Sequence, residues 1–423
     1  MQKLEKIREE MSKILCERII PFWLNNGIDE EFGGYLTCFD EKGNFTGDSD
    51  KYIVTQTRMI WGFSYLSRYC REEDKERLVR GAVQGFEFFI RCFWDDKNGG
   101  FCWKTDRKGN VLDFGKVIYG QSFAIYALSE YYLCTGDKRG LEYAEKTFDL
   151  IQLYATDTEN GGYFENLEPD WQISAGGKFA GDRKSLDIHM HLMEAFTTLY
   201  RASGREVHSR KLREVINLII RHMVNSDYGY GYNQFDLEFH RIPAINVHRT
   251  WNAERGAGEE IKEPTDSTSY GHNVELSWLM NQSLDFVSVQ EVKYTGLIKK
   301  LLDHSLKYGY DYEYGGVYRD GIADGEVLVT DKEWWQNFEA LVGYSNGYLK
   351  FGEDCYLKAL FQTWDFVRDY FMDMDAGESR QLLDRFGSSI IADIGNPWKG
   401  IYHTGRALAE TIDRLDCILS REE

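Results

Sequence analysis

Apolar positions recur at helical spacing along most of the chain, as in "YGQSFAIYALSEYYL" (Tyr119–Leu133) and "TFDLIQLYA" (Thr147–Ala155). Convincing period-two runs are scarce. Only five prolines occur in the whole chain, which suits helices. The helical stretches are separated by breaks that resemble one another. "DEEFGGYL", "DDKNGGFCW", "DTENGGYFE", "NSDYGYGY", "DYEYGGVYRD" and the degenerate "DMDAGESRQ" each put an acidic, Gly-containing turn before an aromatic or short extended segment. Their marker glycines are Gly33, Gly99, Gly161, Gly229, Gly315 and Gly377, at intervals of 66, 62, 68, 86 and 62 residues.

Near-constant spacing of this kind marks a repeat architecture of six units. Each unit has room for two helices of about 12–20 residues plus loops. Six helical hairpins make twelve helices. Without polar capping units they close best as a ring, an (α/α)6 barrel with short β segments in its rim loops, in preference to an open solenoid. The whole of 1–423 is expected to be one such domain. The fourth interval exceeds its neighbours by about 20 residues, a surplus expected to form a lid-like loop around 239–271. This Pro- and Gly-containing stretch carries Trp251 and Arg255 and runs up to His272.

Composition narrows the function. A net charge of −19 makes nucleic acid and anionic membrane poor partners. The start, "MQKLEKIREEMSKIL", reads as an amphipathic helix, and no apolar run is long enough to span a bilayer. Eight scattered cysteines without C-x-x-C read as reduced thiols of a cytoplasmic protein, a monomer or homodimer. Aromatics reach 15%, enough to pack helices and still line a cleft suited to the apolar faces of sugar rings.

The nine histidines are the next candidates. In "DIHMHLMEAF" two residues on a helix are separated by about 200° around the axis, so His189 and His191 cannot share a metal on one face. His189 lies with Leu192, Met193 and Phe196 and reads as packed. His191 lies with Asp187, Glu194, Ala195 and Thr198, a polar face that would line the barrel cavity. In "SYGHNVELSWLM", His272 and Glu275 can touch across one turn, where a carboxylate would orient the imidazole. A surface His–Glu pair would look the same. In "DKEWWQNFEALVGY", Trp335 and Glu339 share a face with Lys332; in "NPWKGIYHTGRALAE", Trp398 and Tyr402 precede His403. Arg58 sits among apolar residues in "TQTRMIWGF" and needs an anion or polar partner. Metal-site spacings, phosphate cradles and G-x-S-x-G are missing, which leaves a site expected to use no metal and no cofactor.

Four segments, "RKSLDIHMHLMEAFTTLYR", "YGHNVELSWLM", "KEWWQNFEALVGY" and "NPWKGIYHTGRALAE", together with "TQTRMIWGFSYL" and "VIYGQSFAIYALSEYY", resemble the signature blocks of the N-acylglucosamine 2-epimerase family. That family includes cellobiose 2-epimerases, mannose 2-epimerases and aldose–ketose isomerases, all (α/α)6 barrels. The resemblance implies that His272 and His403 are the general acid/base pair and that Glu275 and Glu339 tune them. It implies that Arg58 stabilises an enediolate, that His191 assists binding or ring opening, and that Tyr119, Trp335 and Trp398 contact the sugar. Two departures stand out: Asp187 where cellobiose epimerases typically have Asn, and Asn273 where they have Asp. With the long loop, these point to a monosaccharide and to exchange of D-mannose with D-glucose. An aldose–ketose isomerase, a cellobiose epimerase, a glycoside hydrolase and a non-catalytic sugar binder remain the alternatives.

Overall fold

The computed structural model describes residues 2–174, 183–242, 267–287, 292–322 and 325–422. Six helices are buried nearly all round over most of their length: α3 (Ile53–Leu66), α5 (Ile118–Thr135), α7 (Leu186–Ser203), α9 (Tyr270–Phe286), α11 (Trp334–Phe351) and, over its first half, α13 (Tyr402–Glu422). Every residue from Ile53 to Leu66 is buried, as is every residue from Trp334 to Gly347. A helix without a solvent face has to be surrounded on all sides. Each of the six packs on the next, and α13 packs back on α3, so the ring closes.

An outer layer supplies the surroundings. It consists of α4 (Glu72–Phe93), α6 (Lys138–Leu150), α8 (Glu206–Leu218), α10 (Val292–Tyr308), α12 (Asp354–Phe366) and an N-terminal helix. That last helix is α1 (Gln2–Ile14), joined through a π turn, Leu15–Ile19, to α2 (Ile20–Asn26). The (α/α)6 barrel and the twelve-helix count expected from the Gly breaks are therefore observed. The sixth hairpin is made by the two ends of the chain: α1 buries Leu4, Ile7, Met11 and Ile14 and packs on α13.

All six Gly breaks connect an outer helix to the next inner one, on one rim. In all six the marker glycine donates its amide to the carbonyl four residues back, at 2.7–2.9 Å, among them Gly33 to Asp29, Gly99 to Asp95, Gly161 to Asp157 and Gly315 to Asp311. The glycines following these four lie in the left-handed region, Gly100 at φ +74°, and a Cβ there would meet Trp171 at 2.5 Å. The same four aspartates hold buried lysines two residues ahead of an inner helix. The pairs are Lys51–Asp29 (2.9 Å), Lys116–Asp95 (2.8 Å), Lys184–Asp157 (2.7 Å) and Lys332–Asp311 (3.1 Å). In the fourth unit Asn225 and Thr268 occupy these places, so the charge pair is absent there as a matched set. Lys332 is thereby explained as a turn clasp, not as a companion of Trp335 and Glu339.

A second clasp uses the fourth residue of five of the six inner helices, α3 to α11. Gln56 accepts from and donates to the backbone of Tyr35, and Gln121 does the same with Phe101 and Asn337 with Val317. His189 and Asn273 hold this position on α7 and α9. His189 accepts the Tyr163 amide on Nε2 (3.1 Å) and donates from Nδ1 to Ser185 O (2.7 Å), and burial drops its pKa to about 4. Asn273 accepts the Gly231 amide (2.8 Å) and donates to Thr268 (3.0 Å). The rim strands are short, in ribbons of two or three strands. The expected lid loop falls mostly outside the described residues. Its C-terminal end, Ser267–Ser269, pairs antiparallel with Asp320–Ile322 and leads into α9.

Candidate active site

On the turn-bearing rim the barrel opens into a cavity. Its floor and walls come from the first two turns of the inner helices: Arg58, Tyr119, Asp187, His191, His272, Glu275, Trp334, Trp335 and His403, with Trp398 from the loop before α13. Of the ten residues singled out from sequence, nine line this cavity. The tenth, Glu339, lies directly behind His403, whose Nδ1 is 2.8 Å from its Oε1.

The repeat explains the convergence. Arg58, Phe123, His191, Glu275 and Glu339 are each the sixth residue of their inner helix. The ring places equivalent positions around one axis, and the sequence varies their chemistry. Helix starts are held by caps: Ser185 accepts the Ile188 amide and Ser269 accepts the amide of His272 itself, both at 3.4 Å.

Trp335 stands against both candidate bases, its ring 4.7 Å from that of His272 and 5.7 Å from that of His403 between centroids. Arg58 lies over Phe123 and Tyr402 and donates to Tyr119 Oη (2.9 Å) and to the carbonyl of Trp398. One guanidinium nitrogen, Nε, has no hydrogen-bond partner among the described residues.

Asp187 is shared. Its Oδ1 is 3.4 Å from His191 Nε2 and 3.3 Å from His272 Nε2. Burial works against its charge, but the two imidazoles hold its carboxyl far below the usual carboxylate range. On its other side His191 meets Glu194 through Nδ1 at 2.9 Å. Burial disfavours the His191 cation, yet Asp187 and Glu194 outweigh it and raise the pKa to about 9. His191 is thus an imidazolium at neutral pH. His403 goes the opposite way: burial, then Arg58, Arg406, His191 and His272, push it well below the ordinary histidine value.

Behind the cavity lies Arg406, 1% exposed, which the sequence reading did not single out. It donates to Glu194, to Tyr402 Oη, to Glu275 Oε1 (2.5 Å) and to Glu339 Oε1 (2.6 Å). Glu339 Oε2 also accepts from Trp278 Nε1 (3.1 Å). Burial and Glu275 push the Glu339 pKa upward against the pull of Arg406. With both oxygens already accepting, the bond to His403 is donated by the imidazole Nδ1–H, which leaves Nε2 with its lone pair. The ligating atoms of Glu275, Glu339 and His403 lie within 4.8 Å of one another. Arg406 donates to both carboxylates and offsets part of their charge.

One expected contact is redrawn. Glu275 and His272 share a helix face, but the Glu275 carboxylate is held by Arg406 and makes no hydrogen bond to His272; the carboxylate beside His272 is Asp187. Arg406 and the mouth residues Arg319, Glu333, Trp334 and Gln381 were missed. For Arg406 a signal existed: like Arg58, it is an arginine inside a run built for burial, "YHTGRALAE".

A ring of twelve helices with imidazoles, an arginine and tryptophans around a cavity is an arrangement suited to acid–base chemistry on a polar ligand. A family model for N-acylglucosamine 2-epimerase (GlcNAc 2-epimerase) matches residues 34–407. The chain belongs to this family of carbohydrate isomerases. It is 30% identical over 427 residues to a cellobiose 2-epimerase of Dictyoglomus turgidum, covering 97% of this chain and 100% of that one. The solved cellobiose 2-epimerase of Bacillus thermoamylovorans B4167 is similar with a TM-score of 0.86 at 26% identity, covering 97% of this chain and 100% of that one. A D-mannose isomerase structure is similar in fold, with a TM-score of 0.81 at 21% identity over 98% of each chain.

Proposed function

We propose that the protein interconverts D-mannose and D-glucose by epimerising the open-chain aldose at C2. The observation that carries this reading is the pair of imidazoles, His272 and His403, set against one tryptophan around one cavity, with Arg58 on its wall.

A proton alpha to a carbonyl is weakly acidic, so the aldehyde oxygen must be stabilised as it gains charge. Arg58, with Tyr119, would donate hydrogen bonds to the oxygens at C1 and C2. One histidine takes the C2 proton, and the electron pair moves into a C1–C2 double bond to give a cis-enediolate. The other, as imidazolium, returns a proton to C2 from the opposite face, and the C1 carbonyl re-forms. His403 is suited to the first role in one direction: it is neutral, and Glu339 keeps Nε2 free. His191, a cation with a fixed carboxylate on each side, is suited to protonate the ring oxygen during opening. Trp335 and Trp398 would bear on the apolar face of the sugar.

The test is NMR of products from D-mannose, D-glucose and cellobiose in deuterated water. The expected result is the C2 epimer of each monosaccharide with deuterium at C2. A ketose labelled at C1 would establish an aldose–ketose isomerase instead. Turnover of cellobiose much faster than mannose would favour the second reading, cellobiose epimerisation, which the 30% identical relative supports.

A further inference from the structure

The turns carry a collar of equivalent residues above the site. The first amide of an inner helix donates to the carbonyl of a turn residue from a neighbouring unit: Ile53 to Trp103 (3.0 Å), Ile118 to Glu165 (2.8 Å), Leu186 to Asn233 (3.2 Å) and Trp334 to Gln381 (2.9 Å). Arg319 holds the same place in the fifth unit, two residues past the clasped Val317. Arg319 and Gln381 line the cavity, and Trp103 packs on Trp398 at 5.8 Å between centroids.

Glu165 is the acid among these five. It is 3% exposed, its Oε1 is fully buried without a hydrogen-bond partner, and no described cation forms an ion pair with it. Ser185, which caps α7 two residues before Asp187, faces the carboxyl, and Asp187 and Arg183 are the charged groups that act on it. An ionised carboxylate in this place would be a buried, uncompensated charge beside a second one, whereas the acid form carries no such cost. Burial, followed by Asp187, raises its pKa to about 8. Asp187 differs because His191 and His272 take up its charge. The environments of the two carboxyls thus push them to opposite protonation states.

We propose that Glu165 is a positioning residue of the sugar site: a proton-bearing carboxyl beside Ser185 and Asp187 that keeps one negative charge, that of Asp187, between His191 and His272. The proposal rests on the C2-epimerisation reading. A second charge there would strengthen the hold of both imidazoles on their protons, and one of them has to release a proton to carbon. Glu165 acts through Asp187 and does not touch the substrate.

The experiment compares the full-length protein with Glu165→Gln, which keeps the size and the neutral state. Two readouts are taken: infrared difference spectra, and kcat against pH with mannose. At about pH 6 the difference spectrum is expected to show a protonated carboxyl lost in the variant. Activity of the variant near neutral pH is expected to stay within about threefold of the parent, while the parent's decline above about pH 8 is weakened in the variant. An ionised Glu165 at about pH 6, a variant at least tenfold slower at neutral pH, or superimposable pH profiles would each overturn the proposal. Should Glu165→Gln fail to fold, the parent alone, titrated by infrared from about pH 5 to 10, decides whether this carboxyl carries a proton. Absence of turnover on any aldose would sink the epimerase reading, and the infrared result would still decide the protonation of Glu165.

Discussion

Replacing Arg406 by Met should unfold the logic of the site from behind. The guanidinium is the only hydrogen-bonding partner of Glu275: Oε1 accepts from it and Oε2 has none among the described residues. Glu339 would keep Trp278 and His403, and Glu194 would keep Tyr402 and His191. One cation is thus removed from among three buried carboxylates. Deleting one partner of a buried ion pair costs about 3–5 kcal/mol, because the remaining charge stays desolvated. Met fills similar volume, so little of this cost comes from a cavity. Urea unfolding at neutral pH should therefore show Arg406→Met less stable by about 3–5 kcal/mol. The penalty should shrink toward about pH 5, where the orphaned carboxylates can take protons in the fold as they do in the unfolded chain. Turnover should fall about 100-fold or more, since Glu339, no longer tied to Arg406, fixes His403 less firmly, and His403 loses one of the cations that hold it neutral. A stability loss below about 1 kcal/mol together with kcat within about threefold of the parent would refute this account of Arg406.

Three further outcomes are expected. The pKa of His191 is raised from 6.5 to about 9, so its contribution to stability is fully present below 6.5 and is lost as pH rises through 9. The unfolding free-energy difference between the parent and His191→Gln should drop by about 3 kcal/mol between about pH 6 and 10, counting the bond to Asp187 once, and a flat difference would contradict it. Asn273→Asp should leave the mannose-to-cellobiose activity ratio unchanged, because the side chain clasps Gly231 and Thr268 and does not line the cavity; a shifted ratio in competition assays would show otherwise. Trp335→Ala should lower kcat/KM about 100-fold by removing the surface common to His272 and His403, with Trp335→Phe recovering part of it in the same steady-state assay.

Some of this protein is local information, and the sequence holds it outright. The acidic Gly turns recur because only glycine fits a left-handed position packed as tightly as Gly100 against Trp171, so the turn leaves a mark wherever it occurs. Counting those marks yields six hairpins. Helical geometry alone separates His189, facing a turn, from His191, facing the axis. The fourth-residue clasps are also local in position, but Gln, His and Asn all serve there, so His189 reads as mere packing and Asn273 as a specificity position until their partners are seen.

What the tertiary structure decided is who meets whom. The bonds of Arg406 to Glu194, Glu275 and Glu339 span 212, 131 and 67 residues of chain. Spacing on a single helix paired Glu275 with His272, yet closure of the ring brought Asp187 to His272 and gave Glu275 to Arg406. The closure itself joins α1 to α13 across the full length of the chain. Periodicity fixes which face a side chain shares, whereas charge pairing and proton positions depend on distances between helices, which exist only once the six hairpins have closed around one axis.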